Sequence, residues 1–116
     1  MHKNLYKDIT YFAKVGWRND QRFFGIKQAD RLMHTYMIGK TGTGKSTCLE
    51  TMIIQDIEHG RGCCLLDPHG DLVDKIFKNI PEHRRKDLIY FNIPDPNLNL
   101  RYNPFKKVSY EKRSLV

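Results

Sequence analysis

The 116-residue chain has no long hydrophobic run: no apolar stretch exceeds four residues, the length reached at 63–66. That excludes a helix of the length needed to cross a bilayer. Cysteine is scarce. Cys48, Cys63 and Cys64 make neither a Cys-x-x-Cys pair nor a closed disulfide set, and the five histidines (2, 34, 59, 69 and 83) lack ligand spacing. A disulfide framework and a zinc site are therefore excluded. The cysteines read as small buried hydrophobes in a reducing compartment. The first residues lack the apolar stretch of a secretion signal, so the expected location is cytoplasmic. An apolar share of 40% allows a modest core, and the length suits one compact domain.

The net charge of +7 is unevenly placed. Residues 1–31 carry seven basic and three acidic side chains, residues 101–116 five and one, and the middle is close to neutral. Basic flanks of this kind suit a phosphate backbone, although ordinary solvated surface explains them equally well.

Residues 1–31 form a basic N-terminal segment that reads as a β-hairpin. Runs 9–13 and 22–26 are strand-like, and Gly16-Trp17-Arg18-Asn19-Asp20 supplies turn chemistry between them. Residues 32–105 read as a nucleotide-binding core. Run 35–38 is β-prone, and 45–58 has helical spacing with apolar residues at 49, 52, 53 and 57, ended by Gly60. Run 63–66 suits a strand buried on both faces. A second helix is expected over 71–80, with Asp71 and Asp74 at the positive end of its dipole. A polar break comes next, then a third strand over 88–91 and a proline- and asparagine-rich loop to Pro104. Residues 106–116 read as a basic C-terminal segment that starts a truncated element. Strand and helix in alternation predict an α/β fold with parallel strands and flanking helices.

Gly39-Lys40-Thr41-Gly42-Thr43-Gly44-Lys45-Ser46 matches the phosphate loop at every fixed position. A polyphosphate needs many inward backbone N–H groups, and glycine at 39, 42 and 44 keeps side chains out of their way. The helix starting near Lys45 points its partial positive charge at the phosphates. Lys45 is expected to reach the β- and γ-phosphates, Ser46 to ligate Mg²⁺, and Thr47 to add a hydroxyl near the α-phosphate. Thr41 and Thr43 complete the cradle. The expected cofactors are ATP and Mg²⁺.

The second constellation is Asp67-Pro68-His69-Gly70-Asp71. Right-handed crossovers bring the carboxyl ends of successive parallel strands to one sheet edge, which places Asp67 near the nucleotide. Three roles compete for it: Mg²⁺ or its water, a catalytic water positioned with His69, or the cap of the following helix. A GTPase fits poorly. Only 22 residues separate Asp67 from Lys45, and no Asn-Lys-x-Asp occurs.

With both motifs in view, His34 to Ser46, Gln55-Asp56-Ile57 and Leu65 to Leu72 resemble the HerA/FtsK superfamily of DNA-pumping ATPases and, within it, the TraG/TraD-like coupling ATPases of conjugation and type IV secretion. The stretch Asp87 to Asn92 with Asn103-Pro104 is similar to the next part of those proteins. The resemblance spans about residues 22–105 and implies a RecA-like motor that assembles as a hexamer, hydrolyses ATP and moves DNA. It assigns Lys45, Ser46 and Thr47 to phosphates and Mg²⁺, and Asp67 to the γ-phosphate region, with Lys45 and Asp67 as catalytic candidates. One departure matters. No hydrophobic strand ending in Asp-Glu comes after Asp71, so the Walker B aspartate and the water-activating glutamate are missing. The expectation is the ATP-binding part of a DNA-translocating ATPase, incomplete in its sheet and weak or inactive alone. The alternatives are a small P-loop kinase-like phosphotransferase with Arg84 and Arg85 as lid residues, or a non-enzymatic basic module that binds DNA or a partner.

Overall fold

The computed structural model describes residues 8–98 and Asn103. Two strands open it, β1 (Ile9–Lys14) and β2 (Phe23–Lys27), followed by a helical turn α1 (Gln28–Arg31), the long helix α2 (Lys45–Glu58), α3 (Asp71–Asn79) and a 3₁₀ turn (Glu82–Asp87). It is a small α/β structure. The segment 106–116 lies outside the described residues.

The expected hairpin forms. β1 and β2 pair antiparallel from Ile9 opposite Lys27 to Lys14 opposite Phe23, with the register shifting between Tyr11 and Ala13. The chain reverses at Trp17–Asp20, where Arg18 takes φ 51° and the Asp20 N–H reaches the Trp17 carbonyl at 3.0 Å. Gly25 is required by close approach: a Cβ there would lie 2.2 Å from the carbonyl oxygen of Thr10.

Both longer helices also form where apolar spacing places them. Gly60 (φ 73°) ends α2 in a Schellman arrangement, its N–H bonded to the Ile57 carbonyl at 3.1 Å and the Arg61 N–H to the Asp56 carbonyl at 2.8 Å. Ile57 of α2 meets Ile76 and Ile80 at the end of α3, with Ile53, Ile54, Leu65 and Leu72 packed around them. Beyond this cluster, Met52 is the other buried hydrophobe among the described residues.

The expected parallel strands over 35–38, 63–66 and 88–91 are not formed. Among the described residues the sheet has two strands, both in the hairpin. A ladder needs a neighbour to receive its N–H and C=O groups, and none of these runs has one among the described residues. Several of their large side chains stand in solvent instead, Leu66 at 88% and Ile89 at 82% exposure, while Leu65 packs on the Ile57 cluster. The same openness corrects the expectation of buried cysteines: Cys63 and Cys64 are exposed and Cys48 is half-buried.

Candidate functional site

The glycine-rich loop runs from Gly39 into the first turn of α2. Gly42 (φ 81°) and Gly44 (φ 88°) hold left-handed conformations that a side chain would strain, and Gly44 immediately precedes the helix. Gly39 is constrained differently, since a Cβ there would fall 2.6 Å from Thr43 Oγ1. The Thr43 hydroxyl donates to the Lys40 carbonyl at 2.7 Å, and its N–H reaches the same oxygen at 3.3 Å. Lys45 folds back over the loop, its ammonium donating to the carbonyls of Gly39 (2.7 Å) and Lys40 (2.8 Å). Thr41, Ser46 and Thr47 are exposed. The result is a glycine-lined turn at a helix N-terminus with a cation curled over it, an arrangement that suits an anion.

No group of three or more His, Cys, Asp or Glu among the described residues forms a metal cage. The donor set still fits Mg²⁺ carried by a polyphosphate. That ion takes one or two protein ligands and completes its octahedron with phosphate oxygens and water, and the exposed Ser46 hydroxyl would be such a ligand.

Asp67 lies at the start of the loop before α3. Its carboxylate accepts the backbone N–H groups of His69 (3.1 Å), Leu72 (2.8 Å) and Val73 (3.3 Å). Burial pushes its pKa up, but the bonds from His69, Leu72, Val73 and Gly70 together outweigh this and hold it below the usual carboxylate value. Of the three roles weighed for Asp67, capping α3 is the one its contacts display, and among the described residues no hydrogen bond joins Asp67 to the glycine-rich loop. His69 is exposed. Arg84 and Arg85, considered as lid residues, are engaged by carboxylates of their own turn, and Arg84 also reaches the Arg61 carbonyl at 3.4 Å. Arg84 pairs with Asp87 at 3.1 Å and Arg85 with Glu82 at 3.0 Å.

An ion network that spacing alone does not reveal ties the hairpin to α2. Asp56, buried on the inner face of α2, takes a fork of bonds from Arg31 at 2.7 and 2.6 Å and a third bond from Arg61 at 2.8 Å. Arg31 also donates to Thr10 Oγ1 at 2.9 Å, and Arg61 reaches the Asp8 carboxylate. Burial alone would raise the Asp56 pKa, yet the two guanidiniums outweigh it and depress the value. The sequence signal was an aspartate on the apolar stripe of α2, between Met52 and Ile57.

No helix among the described residues is long and apolar enough to cross a membrane. No curated protein and no solved structure gives a significant match. One family does match, described as the type IV secretion-system coupling protein DNA-binding domain, over residues 25–100. That stretch covers more than half of the chain and contains the glycine-rich loop, the Asp67 loop and both long helices. The chain belongs to the family of type IV secretion-system coupling protein DNA-binding domains.

Proposed function

We propose that this chain is the ATP-binding portion of a DNA-translocating ATPase that serves conjugative transfer. The glycine-lined loop carries the reading. Gly42 and Gly44 in left-handed conformations, Gly39 with the Thr43 hydroxyl lying where a Cβ would be, and Lys45 at the head of a fourteen-residue helix are the features a triphosphate cradle needs. In this reading the backbone N–H groups of 41–47 take the phosphate oxygens. Lys45 leaves the carbonyls of Gly39 and Lys40 for the β- and γ-phosphates, and Ser46 ligates Mg²⁺. Membership of a coupling-protein DNA-binding family supports DNA as the partner. A RecA-like core would pair runs 35–38, 63–66 and 88–91 in a parallel sheet, which would cover the apolar side chains they now expose. A hexameric ring belongs to the same proposal.

Bound Mg²⁺ would supply charge neutralisation at the β- and γ-phosphates, while the chain's own groups bind and orient the nucleotide. Hydrolysis by this chain alone is expected to be slow, because no strand ending in Asp-Glu offers a carboxylate to activate water. The test is titration calorimetry with Mg·ATP on the purified chain. Measurable binding that Lys45→Ala weakens at least about tenfold supports the proposal. Absence of heat from folded protein, or a Lys45→Ala variant that binds as well as the parent, overturns it.

A further inference from the structure

The hairpin is the most aromatic part of the described chain, and none of its rings is buried. Trp17 at its tip is 69% exposed and Phe23 64% exposed, with Tyr11, Phe12 and Phe24 also open to solvent. Burial does not account for so many large apolar rings on one small element.

The rings are interleaved with cations. The Arg18 guanidinium lies 5.5 Å from the Trp17 ring and the Lys14 ammonium 5.6 Å from the Phe23 ring, which Tyr11 meets edge-on with centroids 6.4 Å apart. Between residues 9 and 27, Lys14, Arg18, Arg22 and Lys27 stand against one carboxylate, Asp20, which is forked to Arg22. One strand is meanwhile anchored. Gln55 of α2 bonds both the N–H and the C=O of Tyr11, so the hairpin is held to the rest of the molecule while its aromatic tip projects. An apolar protein partner would favour rings without charges. A single nucleic acid strand needs both: faces for bases and cations for phosphates.

We infer that the hairpin 9–27 is a stacking platform for single-stranded DNA, with bases on Trp17 and Phe23 and phosphates paired to Lys14 and Arg18, the cations beside those rings. The inference rests on the DNA reading above and deepens it by naming the element and the strandedness, but it does not depend on nucleotide binding.

Trp17 is the chain's single tryptophan, so its fluorescence reports the proposed contact directly. The experiment titrates the full chain, without nucleotide, with a 15-mer oligothymidylate at low salt, following tryptophan emission and the anisotropy of a labelled copy of the oligomer. The expected result is quenching that tracks the anisotropy. Trp17→Ala or Phe23→Ala should each weaken binding about tenfold, and Trp17→Phe should keep most of the affinity. Circular dichroism of each variant checks folding, and two independent variants guard against one that fails to fold. An oligomer that binds without quenching, or with unchanged affinity for both alanine variants, overturns the inference while leaving DNA binding in place. Equal quenching by a blunt duplex overturns base stacking, and no binding at all overturns the inference together with its DNA premise.

Discussion

Gln55 grips the main chain of Tyr11: its side-chain carbonyl accepts the Tyr11 N–H at 3.0 Å and its amide N–H donates to the Tyr11 carbonyl at 2.6 Å. One side chain thus satisfies both polar groups that a strand edge would otherwise present to solvent or to another chain. Its amide also bonds the Thr51 carbonyl one turn earlier in α2 at 3.0 Å, which fixes its direction. Gln55→Ala is expected to lower stability by about 1 kcal/mol, since water replaces the lost partners at this exposed position. Gln55→Glu should do no better, because a carboxylate offers no donor to the Tyr11 carbonyl. Urea midpoints for the three proteins at equal slope decide this.

Asp56 should be far more sensitive. Removing it leaves Arg31 and Arg61 half-buried without their shared anion, and Asp56→Ala is expected to cost about 3 kcal/mol. Its pH dependence is set by the direction of its shift. The folded-state pKa is depressed, so the contribution is fully present above the ordinary carboxylate value and is lost as pH falls through the folded one. The gap between parent and Asp56→Asn measured by denaturation should therefore be widest at neutral pH and shrink below about pH 4. A gap that stays constant down to about pH 2 would contradict the ion network.

Gly25 and Gly16 offer a matched pair. A Cβ on Gly25 would meet the Thr10 carbonyl at 2.2 Å and Ile9 Cγ2 at 2.8 Å, whereas one on Gly16 has open space around it. Gly25→Ala is expected to destabilise by at least about 2 kcal/mol through forced backbone movement. Gly16→Ala should stay within about 0.5 kcal/mol of the parent. Thermal melts of both variants check the contrast.

Asp67 is where structure and chemistry can be separated by experiment. As an acceptor of three backbone N–H groups around the start of α3, its loss in Asp67→Ala should cost about 1–2 kcal/mol. Asp67→Asn keeps an acceptor oxygen and should retain much of that stability. If the carboxylate also serves Mg²⁺, then Asp67→Asn shifts the magnesium dependence of ATP binding at nearly unchanged stability. An unshifted dependence restricts Asp67 to capping.

The hairpin, the two helices and the stop at Gly60 were legible because each arises from local periodicity and turn residues. Nothing distant is needed to read 9–13 against 22–26, or the spacing of Met52, Ile53 and Ile57. Runs 35–38, 63–66 and 88–91 have the same strand-like composition, but pairing is not a local property, and apolar residues do not declare whether a neighbour exists. For Asp67 the cap was one of three roles the sequence allowed, and nothing local chose among them, since the same aspartate before a helix suits each. The bond between Asp56 and Arg31 was invisible for a further reason. It joins residues 25 apart whose meeting depends on how α1 lies over α2.

Arg61 holds Asp8, 53 positions earlier in the chain, and it does so because Gly60 turns the chain back at the foot of α2. Closing so wide a loop sacrifices much more chain freedom than completing a helical turn does. The clasp at Asp8 is therefore expected to form late in refolding, after α2 has presented both Asp56 and Arg61. It should also be the first join to open, so backbone amides at the start of β1 should exchange with heavy water sooner than those in the middle of α2.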